Sequence, residues 1–219
     1  MTHVPGRPLD IEVWSDVLCP WCYIGDERLE KAIAASGRED DIRVRVRAFQ
    51  LDPTAPSEPR STVAYLAEKY GTSVDEARGM EENVQKLAHE EGLAYEVEHA
   101  VQNTLDLLRV VKLADTFGAG WRVMKAMQAE LFGGSPDAFA PETAVRIAAE
   151  AGVPEAEVRD VLASDRFADE VRADQAEAQA LGARGVPFTV LDRRLGIPGA
   201  VPTEMYGQAI AQALGAGGA

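Results

Sequence analysis

The chain has 219 residues, 46% hydrophobic and 26% charged, which describes a globular protein able to bury a core in one large domain or one domain with an insertion. Its 36 acidic side chains outnumber 22 Lys and Arg, and the formal net charge of -14 argues against nucleic acid and anionic membranes as partners. The opening MTHVPGRPLDIEVW lacks the features of a secretory signal and no stretch nears the ~18 apolar residues of a membrane span, so a cytoplasmic location is expected.

Leu9, Ile11 and Val13 alternate with polar neighbours and predict a half-buried strand. After Cys19 and Cys22, Leu29, Ala32 and Ile33 recur on the helical face that Cys22 begins, and Ser36-Gly37 supplies a stop. In IRVRVRAF the residues Ile42, Val44, Val46 and Ala48 share one face and Arg43, Arg45 and Arg47 the other, predicting a strand with a solvated Arg stripe. Strand, helix and strand at this spacing predict a right-handed βαβ unit. From about Pro56 to Ala168 the periodicity is helical throughout, with PETAVRIAAEAG and PEAEVRDVLAS each opening on a proline suited to the first helical position. A further long helix precedes the strand Phe188–Leu191, a turn at Asp192-Arg193-Arg194, a short partner strand in LGIPGA, a last helix from Thr203 to Leu214 and a frayed GAGGA tail. The helical block therefore reads as an insertion, 56–168, in one discontinuous α/β domain made of 1–55 and 169–219.

Both cysteines stand in SDVLCPWCYIG, separated by Pro20 and Trp21. Three chemistries compete for such a pair: a metal half-site, a permanent staple and a redox couple. A structural zinc site needs four ligands, and here one CxxC is joined only by His3, His89 and His99, with Leu93 where a zincin helix needs its second histidine. No metal is expected, and His89 and His99 read as solvated surface. A reducing cytoplasm disfavours a permanent staple. The redox reading fits the local chain: Pro20 opens the helix, so Cys19 sits at its N-terminus, where unpaired N–H groups and the helix dipole favour a thiolate. Cys22 lies one turn further in and less exposed. Cys19 is then the nucleophile that forms a mixed disulfide with substrate, and Cys22 the thiol that resolves it. Asp16 suits either a loop cap or a proton relay for Cys22. Trp21 is expected to form an apolar lip beside the sulfurs. Asn103 and Arg109 read either as lining an interdomain cleft or as helix surface.

Gly185-Val186-Pro187 precedes the last pair of strands. An X-Pro bond is cis in only about 5–6% of cases, so by itself this proline reads as trans. CPWCYIG and GVPF together resemble the thioredoxin superfamily, in the DsbA-like branch that carries a helical domain inserted in an α/β thioredoxin fold. Joined by the Phe49–Pro53 stretch FQLDP and by IPGAVPTEM, they look like its cytosolic group named for a frenolicin-type polyketide dithiol–disulfide isomerase, relatives of the 2-hydroxychromene-2-carboxylate isomerases. The resemblance covers nearly the whole chain. It implies that Pro187 is a cis proline beside the CxxC and that Val186 pairs with the bound substrate. It also implies a thiol–disulfide oxidoreductase or isomerase acting on cysteine-containing proteins or small thiols, with no bound cofactor beyond the redox-active Cys19–Cys22 pair. Glutathione is a candidate co-substrate, the reductant is not named, and monomer and homodimer both fit. One departure stands out: where that group reads Asn-Thr-x-x-Ala-His-Arg-Leu, this chain has Leu107 and Leu108 in place of Ala and His. The alternative activity is a glutathione-dependent isomerase or kappa-class-like glutathione transferase, for which Cys22 is superfluous. A third reading is a binding or chaperone module that uses an apolar cleft alone.

Overall fold

The computed structural model describes residues 8–215. Residues 1–7, with His3 and the start of the stretch read for a signal, and residues 216–219 of the tail lie outside the described residues. β1 (Leu9–Ser15) leads into α1 (Pro20–Ser36), and a 3-10 turn at Glu39–Asp41 precedes β2 (Ile42–Ala48). α1 starts on Pro20, whose missing N–H costs nothing there, and stops at Gly37, which adopts φ 59° as the left-handed cap. β1 and β2 pair in parallel from Leu9 opposite Ile42 to Ser15 opposite Ala48, so α1 is the crossover between them.

The middle of the chain holds β3 (Arg60–Ser61), α2 (Thr62–Tyr70), α3 (Val74–Glu90), β4 (Ala100–Val101), α4 (Leu105–Thr116), α5 (Gly120–Phe132), α6 (Pro141–Glu150) and α7 (Glu155–Leu162). The sequence reading of a wholly helical block missed β3 and β4, which pair antiparallel with Arg60 opposite Val101. Two residues per strand are too few for alternation to show. α8 (Ala168–Ala180) returns the chain to the sheet, where β5 (Phe188–Leu191) and β6 (Leu195–Pro198) form a hairpin before α9 (Thr203–Gly215). The sheet order is β2-β1-β5-β6, with β5 antiparallel to β1. This is an α/β thioredoxin fold carrying a large helical insertion between its two halves.

Two main apolar clusters pack against the sheet. In one, α1 and α9 enclose Leu9, Ile11, Leu29, Ile33, Tyr206 and Ile210. A larger cluster runs from Val17, Tyr23 and Val46 through Leu108, Val111, Met124 and Phe132 to Val158, so the inserted helices and the sheet share one apolar interior. α4, α5 and α8 all rest against β2. That packing changes the expected solvated Arg stripe. Arg47 reaches Glu12 through Nε at 2.9 Å and the buried Asp174 of α8 at 3.2 Å, while Arg43 Nε meets Asp10 at 2.7 Å. A carboxylate buried by a crossing helix needs a cation, and the stripe supplies it.

Candidate active site

The CxxC lies at the junction of β1 and α1. Cys19 is the N-cap residue, extended at φ -96° and ψ 105°, and its sulfur accepts the Cys22 N–H at 3.2 Å. That contact satisfies one of the donors a helix start leaves unpaired and directs backbone dipoles at the sulfur. Both cysteines are free thiols, 2% and 0% exposed respectively, so Cys19 is more enclosed than its position at a loop–helix joint implied. Its access is through a cavity it lines together with Pro20 and Trp21. Cys22 faces inward, beneath Cys19. Burial first, then its hydrogen bond to Cys19 and the charges of Cys19 and Asp26, push the Cys22 thiol well above its ordinary value.

The loop before β5 crosses this helix start. The Val186–Pro187 peptide is cis, and the Val186 carbonyl oxygen stands 3.6 Å from the Cys19 sulfur. Residues 167 positions apart in the chain thus meet at one sulfur. Gly25 makes the approach feasible: a Cβ there would stand 3.1 Å from Pro187 Cγ and 3.4 Å from the Ala200 Cα. The helix gives up roughly 1 kcal/mol of propensity at a glycine to let the loop close over it.

Two buried carboxyls flank the dithiol and do different work. Asp16 is 0% exposed, and its oxygens take the Leu51 N–H at 2.6 Å and the Leu18 N–H at 3.5 Å. It fastens the CxxC loop to the chain after β2; burial pushes its carboxyl up to about 6 against those hydrogen bonds. Asp26, one turn beyond Cys22 on α1, is the residue the sequence reading missed. It is 1% exposed, accepts the Ser15 hydroxyl at 3.3 Å and is pushed up to about 7 by burial, against the pull of Lys125. Trp121 and Gln128 approach the same carboxyl, yet Asp26 Oδ1, Trp121 Nε1 and Gln128 Oε1 are left without a hydrogen-bond partner. Gln128 instead donates to Ser15 Oγ and to the Asp16 carbonyl, both at 3.1 Å. The signal was present in the sequence: Cys22, Asp26, Leu29 and Ile33 follow helical spacing, so this acid lies in the apolar stripe of α1.

The cavity over Cys19, about 510 Å³, is walled by the start of α1, Leu51 and Asp52 after β2, α2, α3 and the segment from His99 to Val101. His99 is 7% exposed rather than on the surface, because Tyr95, His99 and Tyr23 pack around Phe132 with ring centroids 5.1–5.5 Å apart. Its Nδ1 pairs with the Glu96 carbonyl at 2.8 Å, and burial lowers its pKa, favouring the neutral ring. Behind it, the Tyr95 hydroxyl donates to Glu81 at 2.6 Å. Trp21 stands at the mouth, 44% exposed. Asn103 lies in the loop before α4, bonded to Gln50 at 2.7 Å and to the Pro53 carbonyl at 3.1 Å. Arg109 is neither in the cleft nor on the surface. It is buried against the end of α7, where it donates to the carbonyls of Val161 at 2.6 Å and of Ser164.

A dithiol at the start of the first helix, a cis-proline loop against its outer sulfur and helices inserted between the two halves of the sheet define a DsbA-like thioredoxin-fold protein. The DSBA-like thioredoxin domain profile matches residues 10–211, and the chain belongs to this family of thiol–disulfide oxidoreductases. A probable DsbA oxidoreductase from Streptomyces coelicolor shares 41% identity over 94% of this chain and 90% of its own, with a TM-score of 0.87. The cytosolic disulfide reductase DsbM from Pseudomonas aeruginosa is similar in fold at 18% identity and a TM-score of 0.61, covering 94% of this chain and 95% of its own. 2-Hydroxychromene-2-carboxylate isomerase follows at 16% identity and 0.63, covering 93% and 95%. No curated protein matches the chain.

Proposed function

We propose that this protein is a cytoplasmic disulfide reductase or isomerase in which Cys19 is the nucleophile, Cys22 the resolving thiol and Asp26 the group that takes the Cys22 proton. The Cys19 thiolate attacks one sulfur of a disulfide, forming a Cys19–substrate disulfide and releasing the other sulfur as a thiolate. Cys22, once deprotonated, attacks Cys19; the Cys19–Cys22 disulfide forms and the second substrate sulfur leaves as a thiolate. The substrate is reduced by two electrons, the dithiol is oxidised, and the two cysteine protons end on the departing thiols. An external dithiol restores the starting state. In isomerisation a substrate thiol, rather than Cys22, displaces Cys19.

The observation that carries this reading is the asymmetry of the two sulfurs. Cys19 meets the cavity, the Val186 carbonyl and a helix N-terminus, while Cys22 is sealed beneath it with its thiol held protonated. Two of the causes that hold that proton, the hydrogen bond to Cys19 and the charge on Cys19, vanish when Cys19 enters a mixed disulfide. Cys22 is therefore easier to deprotonate in the mixed disulfide than in the resting dithiol, with burial still opposing its ionisation. Asp26, unlike Asp16, is among the charges that act on Cys22 and has an unpartnered oxygen. Asp16 instead holds the loop, and Val186 and Pro187 present backbone to the substrate. The cytoplasmic assignment draws on the likeness to a cytosolic reductase, and the division into 1–55 with 169–219 and 56–168 is part of the same reading.

Insulin reduction by dithiothreitol tests the proposal on wild type, Cys19→Ser and Cys22→Ser. Both substitutions are expected to abolish the acceleration, and Cys22→Ser alone is expected to trap a mixed disulfide visible by mass. Full activity in Cys22→Ser that requires glutathione would instead establish the isomerase or transferase alternative.

A further inference from the structure

The cavity beside Cys19 carries information about substrate that the dithiol does not. Among the described residues, four of the eight large hydrophobic side chains that stand exposed, Trp21, Leu51, Tyr70 and Met80, are lining residues of this one cavity. Exposed apolar side chains scattered singly are ordinary; a ring of them around a reactive sulfur marks a binding surface. The volume of about 510 Å³ matches sites that enclose a small molecule, which in general span ~300–1,000 Å³.

The ionisable groups of the lining are already committed to one another. Lys69 is the single cation among the lining residues, and its ammonium is bound to Asp52, which also takes the Tyr65 and Thr54 hydroxyls. Burial would raise the Asp52 carboxyl, but the Lys69, Tyr65 and Thr54 hydrogen bonds outweigh it and hold it well below the usual range, so that pair stays closed across the working pH. Glu81 is 5% exposed and receives the Tyr95 hydroxyl, with burial pushing its carboxyl up. His99, a lining residue, has its Nδ1 paired with the Glu96 carbonyl, and burial favours its neutral ring. Among the described residues that line the cavity no cation is left free, and the whole chain is strongly acidic. An anion entering this space would lose hydration without gaining a free counter-charge.

Resting on the dithiol reading above, we infer that the substrate is a low-molecular-weight disulfide whose group next to the reacting sulfur is apolar, of aromatic size and uncharged, and that the anionic glutathione disulfide is disfavoured. The reaction balances as before: one neutral disulfide R–S–S–R and the Cys19–Cys22 dithiol give two R–SH and the Cys19–Cys22 disulfide. The apolar group occupies the space lined by Trp21 and Met80, the sulfur lies over Cys19, and neutral polar side chains of the wall, Asn83 and His99 among them, face the rest of the molecule.

The test uses the reduced full chain in stopped flow with bis(4-carbamoylbenzyl) disulfide, bis(4-carboxybenzyl) disulfide, glutathione disulfide and insulin. Each rate constant is divided by that of the same compound with dithiothreitol, which removes intrinsic leaving-group differences. The neutral benzyl disulfide is expected to exceed its carboxylate twin and glutathione disulfide by about 10–100-fold, the range set by desolvating a carboxylate that finds no cation. It is also expected to exceed insulin. Met80→Lys, at an exposed rim position outside the dithiol machinery, is expected to narrow the neutral-to-anionic ratio at least about threefold by supplying a cation. Parity or preference for either anion in wild type, or insulin reacting faster than the neutral disulfide, overturns the inference while leaving the dithiol reading intact. Failure of every disulfide, with Cys19→Ser indistinguishable from wild type, overturns the dithiol reading itself.

Discussion

Replacing Asp26 by Asn separates the chemistry of this site from its stability. In the folded chain the Asp26 carboxyl is pushed from its usual 3.8 up to about 7 by burial. An acid whose folded-state value lies above its unfolded value binds more protons in the native state throughout the interval between the two. Stability then falls as pH rises across that interval, from about pH 4 to about pH 7, and is flat beyond it. About three units at 1.36 kcal/mol each give a penalty of order 4 kcal/mol, absent at pH 4 and complete above pH 7. Asn cannot ionise and matches the neutral carboxyl in size, so Asp26→Asn is expected to exceed wild type in stability by up to that amount at pH 8 and to converge with it near pH 4. Urea unfolding midpoints from pH 4 to pH 8.5 measure the difference. The same variant loses the acceptor for the Cys22 proton, and its resolution step is expected to slow by about 100-fold at pH 8, with the inflection near pH 7 removed. Rapid-quench decay of a preformed Cys19 mixed disulfide reads that step. Unfolding curves whose pH slopes stay parallel, together with an unchanged resolution profile, would refute the assignment of Asp26.

Other perturbations report on the parts that hold the site. Gly25→Ala places a methyl 3.1 Å from Pro187 Cγ, and the overpacking of ~1–3 kcal/mol exceeds the ~1 kcal/mol gained in helix propensity; a lowered Tm and a slower insulin reduction are expected. Asp52→Asn breaks the pair with Lys69. Because the native Asp52 carboxyl is depressed, its contribution is present above the unfolded value of ~3.9 and is lost as pH falls below it, so the variant is expected to show a flatter acid limb in the stability profile. Arg109→Met removes the guanidinium donors to the carbonyls of Val161 and Ser164 and is expected to cost about 1–3 kcal/mol by urea titration, with disulfide reduction per folded molecule unchanged.

The features legible along the chain were those whose causes are local. Pro20 and Gly37 bound α1 because a missing N–H and a left-handed φ are properties of single residues, and the alternation from Ile42 to Ala48 is a period-two pattern any strand must show. The CxxC drew its meaning from standing at such a boundary, so Cys19 as N-cap was readable before any packing was known. Where two acids lie close to the same motif, local cues do not rank them. Asp16 precedes the cysteines in a loop and suited a cap, which its bonds to the Leu51 and Leu18 N–H groups fit, while the burial of Asp26 on α1 needed the packing of distant segments to show.

What divides the two carboxyls is packing between distant segments. Trp121 and Gln128 of α5 and Ser15 of β1 close over Asp26, while the Leu51 backbone comes back to engage Asp16. The same holds for His99, packed edge-on against Phe132 inside the fold, and for Arg47 of the Arg stripe, engaged by Asp174 from α8. The residue order of this protein therefore settled where its helices and strands begin, and which sulfur leads a helix, because those follow from backbone hydrogen bonding and steric preference over a few residues. Which hydrogen bonds each buried carboxyl receives, which cation is already committed to Asp52 and which side chains line the space beside Cys19 were decided by the folded chain. Desolvation and ion pairing depend on neighbours that the linear order keeps far apart.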